Sequence, residues 1–269
     1  MRARALCAAA LLATSCGLVG GDDPLGAAAS NLGDVRSGVL GMRLVATTEG
    51  GQEAGFFLRG KFSLPEDASL PVADLSYGRL GTDAEPETTF ISTGDVAYIE
   101  VAGQAYELPG ETVSDLTGSD QPGDEGPFDD LEPDTWIGDS TVGPGPPIDG
   151  VETETVEGDL DVVTALNDML DVARGFGGVD LPPIEGDEAD RLEAAVRSAH
   201  LRATVDHNDL LRRLEIAVEL GADAPEALAA PLEDLLGVSF KLQFSIDQPN
   251  EPVVVEAPEG ALPLDELTS

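Results

Sequence analysis

Hydrophobic and polar residues alternate along two long parts of the chain. Leu40, Met42, Leu44 and Ala46 fall on one face of a first predicted strand, and residues 54–64 alternate in the same way after a Gly-containing loop. Alternation over this length is typical of half-buried antiparallel strands, and two such runs joined by a short loop predict a hairpin. Further strands are predicted near residues 74–80, 88–92, 96–101, 104–108 and 151–158.

The last third of the chain repeats this pattern. A strand over 201–205, a turn at 206–209 and a strand over 210–220 are predicted, the latter alternating as Leu210, Arg212, Leu214, Ile216, Val218 and Leu220. The clearest alternation places Val238, Phe240, Leu242, Phe244 and Ile246 on one face. Beyond residue 250 the prolines oppose a central strand, so an extended edge or tail is predicted.

Three segments have the spacing of helices instead. They cover residues 24–35, 161–176 and 187–198, and the second has an apolar stripe that includes Leu166, Met169, Leu170 and Phe176. The order of a helix, many strands, two helices and more strands predicts an α+β fold with a long antiparallel sheet.

Residues 111–150 break the pattern, with 11 Asp and Glu, 7 Gly, 6 Pro and no Lys or Arg. Repulsion between like charges and the Pro and Gly content predict an acidic, mostly mobile loop, with Trp136 and Ile137 as the point where it contacts the body. A calcium loop is the alternative, but the D-x-[DN]-x-[DN]-G spacing is missing, so a solvated loop is favoured.

The first residues have the pattern of an export signal. A basic start is followed by the apolar run 5–13, which is too short to span a bilayer, and then by the letters LATSC ending at Cys16. LATSC resembles the lipobox of bacterial lipoproteins, with Ala13 where Leu is usual. The resemblance implies that residues 1–15 are removed and that Cys16 receives a lipid with palmitate-type chains. The alternative is an ordinary secretory signal cut near Ser15 or Gly21.

The charge composition argues against nucleic-acid binding. The chain has 52 Asp and Glu against 14 Lys and Arg, a formal net charge of -38, and 42% hydrophobic residues. Such a charge repels nucleic-acid phosphates, and because the basic residues are scattered, with Arg212–Arg213 as the only adjacent pair, no basic patch is predicted. Adaptation to a saline habitat would give the same acidity.

Candidate chemistry is sparse. His200 and His207 have no partner set for a metal, Ser140 does not lie in a G-x-S-x-G elbow, and no Cys follows Cys16. We therefore expect no enzymatic activity, no catalytic residue, no metal and no cofactor.

The arrangement of these segments resembles the LppX/LprA/LprF/LprG-type envelope lipoproteins of high-GC Gram-positive bacteria, which share a shape with the LolA/LolB lipoprotein carriers. The resemblance rests on LATSC, on residues 38–64, 90–109, 150–174 and 212–220, and on the segment that starts SIDQPNEP at Ser245. It implies a strongly curved antiparallel sheet, a half-barrel, with helices on its concave face and an apolar space for acyl chains. The domain organisation is then a signal over 1–15, a tether and helix over 16–35, and one lipid-binding domain over 36–269.

This resemblance implies a membrane-anchored lipoprotein on the extracytoplasmic face of the cell membrane that binds and carries lipid or glycolipid. We expect a monomer, and a membrane transporter is a further partner that such a role allows. The alternative is an envelope protein with a filled core that serves a structural or partner-binding role. The candidate lining of the apolar space is Met42, Leu44, Phe56, Leu58, Phe62, Leu166, Met169, Leu170, Leu214, Ile216, Val218, Phe240, Leu242 and Phe244.

Overall fold

The computed structural model describes residues 23–65, 68–80, 86–110, 112–113, 131–175, 182–221 and 237–268. Within these ranges the α-helices are α1 (Pro24–Ser30), α2 (Val162–Gly175) and α3 (Asp187–Ala195), with 3₁₀ turns at Leu32–Asp34 and Leu264–Thr268. The strands are β1 (Ser37–Thr47), β2 (Glu53–Ser63), β3 (Val72–Leu80), β4 (Thr88–Thr93), β5 (Ala97–Val101), β6 (Gln104–Glu107), β7 (Ile137–Pro144), β8 (Thr153–Leu160), β9 (Val196–Asp206), β10 (Leu211–Leu220), β11 (Ser239–Asp247) and β12 (Leu262–Pro263). The predicted α+β class is confirmed.

One 12-stranded sheet contains all of these strands, in the order β12-β6-β5-β4-β3-β2-β1-β11-β10-β9-β8-β7. Two meanders build it, β1 to β6 and β7 to β11, and they join where β1 pairs antiparallel with β11. The two-residue β12 pairs parallel with β6. Because β7 and β12 are edges, the sheet is open, and the strong curvature that the resemblance implies remains a prediction.

Cross-strand register sorts the side chains onto two faces. Met42 lies opposite Leu58 on β2 and Phe244 on β11, and Phe244 lies opposite Leu214 on β10. Since successive side chains of a strand point to opposite sides, these residues share one side, called the apolar face below. Their neighbours along the strands, such as Arg43, lie on the other side, called the polar face.

Helix α1 covers one end of the apolar face. It begins where the Asp23 side chain accepts a hydrogen bond from the backbone N–H of Leu25 at 3.1 Å, with Pro24 in the first turn. Leu25 and Ala28 are buried, and the helix contacts β8, β9 and β10. The core therefore lies at this end, where α1 packs with Leu201, Ala203, Leu214, Ile216 and Ile246.

Helices α2 and α3 pack against each other, and α3 also contacts β9. The Asp161 carboxylate caps α2 by accepting from the backbone N–H of Thr164 at 3.0 Å. The predicted helix over 187–198 is too long, because α3 ends at Ala195 and β9 begins at Val196. From there the backbone pairs with β10 and soon also with β8, and these two ladders outweigh a last helical turn.

The prediction of an acidic loop over 111–150 is wrong for part of its second half. Residues 137–144 form β7, which pairs with β8 at the edge of the sheet. Its side chains are mostly exposed, so the strand needs no alternating apolar residues and leaves no periodic signal. Residues 114–130 of the predicted loop lie outside the described residues.

Candidate functional site

The sheet brings together every strand residue of the predicted lining. Register places on the apolar face Met42, Leu44, Phe56, Leu58, Phe62, Leu214, Ile216, Val218, Phe240, Leu242 and Phe244. Leu44, for example, lies opposite Phe56 on one side and Leu242 on the other. Pairs that are distant in sequence thus become neighbours on one surface.

Burial divides this set. Phe62, Leu214 and Ile216 are buried, at 8%, 8% and 6% exposed, and belong to the core. The remaining eight are half-buried. Val218 lies on β10, and the other seven form a continuous band across β2, β1 and β11, called the apolar strip below: Met42, Leu44, Phe56, Leu58, Phe240, Leu242 and Phe244. The core residues are therefore packing residues, whereas the apolar strip retains accessible hydrocarbon surface.

Of the helix members of the lining, Met169 packs against the core cluster, as do Leu242 and Phe244 of the strip, while Leu166 and Leu170 are half-buried. Phe176 and Cys16 lie outside the described residues. Met169 is thus the helix member that packs against the same cluster as the strands.

The polar face carries cross-strand ion pairs. Arg202 contacts Glu157 at 2.6 Å, and Lys241 contacts Glu215 at 2.9 Å. Partial burial raises the pKa of Glu215, but hydrogen bonds from Lys241 and Gln243 and the nearby positive charges outweigh it, so the net pKa is lowered from 4.5. Ion pairs between neighbouring strands are therefore a feature of this face.

Several surface depressions lie among the described residues, and the polar face supplies most of their lining. Three of them have volumes of about 440, 470 and 460 Å³ and are open to solvent. None of these three is an enclosed apolar chamber. In the described parts of the chain, the apolar strip offers accessible apolar area, and the enclosed space that the resemblance implies remains a prediction.

Trp136 fixes the end of the acidic segment. Its side chain is 2% exposed, and its indole Nε1–H donates to the Asp168 carboxylate on α2 at 2.6 Å. The backbone N–H of Asp161 donates to the Trp136 carbonyl at 2.8 Å. The predicted contact of Trp136 and Ile137 with the body is confirmed by these bonds and by the burial of both residues.

Both histidines are exposed. His200 Nδ1 lies 3.0 Å from Asp159, on the polar face, and His207 is exposed in the turn after β9. No group of residues in the described ranges has the composition of a metal site. Among the same residues, no helix has the length and apolar character needed to cross a bilayer.

The structure contains two arginine sites that the sequence patterns did not predict. Arg212 is 3% exposed, donates from Nε to the Ile246 carbonyl at 3.0 Å, and pairs with Asp206 at 3.2 Å and Asp149 at 2.8 Å. The sequence did contain an indication of this site, because Arg212 stands at a position of the 210–220 strand where the alternation calls for an apolar residue. The second site gathers Arg43, Arg59 and Arg213 around one depression, which their scattered positions in the sequence did not indicate.

Comparison with known proteins gives structural neighbours only. No protein-family model and no curated protein sequence matches the chain. Similar solved structures include LprF from Mycobacterium bovis, with 14% identity over 88% of this chain and 96% of that one and a TM-score of 0.39. Lipoprotein LppX from Mycobacterium tuberculosis gives 15% identity, 87% and 100% coverage and a TM-score of 0.34. A LolA superfamily protein from Nitrosomonas europaea gives 11% identity, 85% and 93% coverage and a TM-score of 0.24.

These neighbours are the ones that the sequence resemblance predicts. Because the identities and TM-scores are low, the function of the chain rests on its own residues.

Proposed function

We propose that the protein binds acyl chains of a lipid or glycolipid on the apolar strip and carries them within the cell envelope. The observation behind this proposal is the continuous half-buried band that β2, β1 and β11 form. Scattered exposed apolar residues need no explanation, but a contiguous band marks a binding surface. The strong curvature of a half-barrel, with the helices on its concave face, belongs to the same proposal.

The energetics suit a hydrocarbon chain. Burial of one methylene contributes about 0.8 kcal/mol, so an acyl chain that covers ten methylenes on the apolar strip gains about 8 kcal/mol before ordering costs. That gain sets roughly micromolar affinity as an upper limit, since ordering and association costs are subtracted from it. The interaction requires no charged contact, so the net charge of -38 does not oppose it.

Native mass spectrometry with lipid extraction tests the proposal. We expect the purified protein to carry about one lipid, and the double variant Leu44→Asn/Leu242→Asn to lose it, because the polar amides replace two facing leucines of the strip. Thr47→Asn is the matched control, since Thr47 lies on the same strand but on the polar face. Circular dichroism confirms that each variant is folded.

A protein that is repeatedly empty and exchanges no lipid with vesicles would contradict the proposal. That outcome favours the alternative of an envelope protein with a filled core and a structural or partner-binding role.

The membrane anchor is a separate part of the proposal. Replacing Cys16 with serine removes the thiol that would carry the lipid, and we expect the protein to move from the membrane fraction to the soluble fraction on cell fractionation. The neighbouring Ser15→Ala is the control and should leave the distribution unchanged. Retention of Cys16→Ser in the membrane fraction would refute lipid anchoring at this residue.

A further inference from the structure

Arg43 and Arg59 leave two positive charges side by side on the polar face. Five other described arginines contact a carboxylate, as Arg79 contacts Glu87 at 2.8 Å and Arg202 contacts Glu157 at 2.6 Å. Arg36, Arg43, Arg59 and Arg191 form no ion pair with a described residue, and Arg191 donates instead to the Asp187 carbonyl at 2.7 Å. Of these four, Arg43 and Arg59 lie on the neighbouring strands β1 and β2 and on the same face.

The register places Arg59 and Arg213 on either side of two small residues, and Arg43 follows two residues after the first of these on β1. Arg59 on β2 lies opposite Gly41 on β1, Gly41 lies opposite Ser245 on β11, and Ser245 lies opposite Arg213 on β10. With strands about 4.8 Å apart, two arginines therefore stand about 14 Å apart on either side of two small residues. A Cβ at Gly41 would come within 2.5 Å of the Ser245 hydroxyl, so the row is already closely packed.

This arrangement makes a depression of about 440 Å³ on the polar face, called the arginine groove below. Arg43, Arg59 and Arg213 line it, together with Gln243, Phe57 and Leu80. Its lining also includes Met42, Leu58 and Phe244 of the apolar strip. The guanidinium of Arg59 lies over the Phe57 ring, 5.2 Å from its centre. This cation–π contact holds one arginine in place before any ligand arrives.

The charge of the groove defines its ligand. Arg213 is paired with Asp247 at 2.7 Å, so Arg43 and Arg59 supply the net positive charge. Planar guanidinium groups donate two parallel hydrogen bonds to oxyanions, which makes phosphate the fitting partner for a pair of them. We propose that the arginine groove binds a phosphate group, with the organic part of the ligand against Phe57 and Leu80.

This site is tested independently of the lipid proposal. Its arginines lie on the polar face, whereas Leu44 and Leu242, the residues changed in the lipid test, lie on the apolar face and outside the lining of the groove. A phosphate could come from a soluble compound or from a phospholipid headgroup. The test therefore uses inorganic pyrophosphate by isothermal titration calorimetry, and flotation with phosphatidylglycerol vesicles against phosphatidylcholine vesicles. The Cys16→Ser chain is used throughout, so that no lipid anchor brings the protein to the vesicles.

We expect the parent chain to bind either pyrophosphate or phosphatidylglycerol vesicles at about 20 mM salt. The affinity should fall as the salt concentration rises. Arg43→Gln/Arg59→Gln should lower the affinity at least tenfold, and the single variant Arg43→Gln serves if the double variant fails a circular dichroism check of folding. Arg79→Gln is the matched control, with the same change of charge per residue at an exposed, paired arginine, and should stay within twofold of the parent.

Binding of pyrophosphate assigns the groove to a soluble phosphate, whereas binding only of phosphatidylglycerol vesicles assigns it to a headgroup. The proposal is overturned if the parent chain binds neither probe, or if Arg79→Gln weakens binding as much as the groove variants do.

Discussion

Replacing Arg212 with methionine is expected to lower the free energy of unfolding by about 3–5 kcal/mol. Arg212 is the extra residue of a bulge in β10, between Leu211 and Arg213 in the pairing with β9, and its guanidinium is buried. Without it the buried Asp206 carboxylate loses its charged partner, and the Ile246 carbonyl loses a donor. Urea unfolding followed by circular dichroism measures the loss.

A double variant separates the lost pairing from lost packing. Asp206→Asn keeps an oxygen for the backbone N–H groups of Asn208 and Leu210, which bond to that carboxylate at 2.8 and 3.3 Å. Because the charge is then absent, Arg212→Met should cost clearly less in this background than alone. Arg202→Met, at an exposed ion pair, should cost about 1 kcal/mol or less. Equal costs for Arg212→Met and Arg202→Met would contradict the role assigned to the buried network.

Trp136→Ala is expected to destabilise the protein by about 3–5 kcal/mol, because a buried indole is replaced by a void between the start of β7 and α2. Trp136→Phe restores most of the packing but not the bond to Asp168, so we expect it to cost about 1–2 kcal/mol. Chemical unfolding monitored by circular dichroism compares the three proteins, since Trp136 is the single tryptophan and its fluorescence is lost in both variants.

Two outcomes would count against this account of Trp136. One is a Trp136→Ala variant with parental stability. The other is a Trp136→Phe variant that loses as much as Trp136→Ala, because the cost would then follow the hydrogen bond and not the packing.

The strands could be predicted because their periodicity is a direct consequence of burial on one side. The alternation over 238–247 predicts β11, and the parity of Met42, Leu58 and Phe244 predicts that each contributes to the apolar face. The N-terminal helix likewise follows from Pro24 and its apolar spacing.

Strand partners could not be predicted in the same way, because periodicity identifies a face but not a neighbour. The arginine groove shows the consequence, since Arg43 and Arg213 are more than a hundred residues apart and meet only through the pairing of β1 with β11 and of β11 with β10. Strand β7 was missed for another reason. Its exposed position at the edge removes the burial that creates alternation.

The pairing of β1 with β11 links the proposed binding of an acyl chain to the folding of the protein. Each meander is built from neighbouring strands, whereas this seam joins Thr47 to Ser239 and Val39 to Asp247 across most of the chain length. The closure entropy of so long a loop must be overcome before the seam contributes any stability. The apolar strip straddles the seam, with Leu44 on one side and Leu242 on the other. An acyl chain bound there, as proposed, would contact both halves of the molecule across this seam, so its binding would also raise the free energy of unfolding.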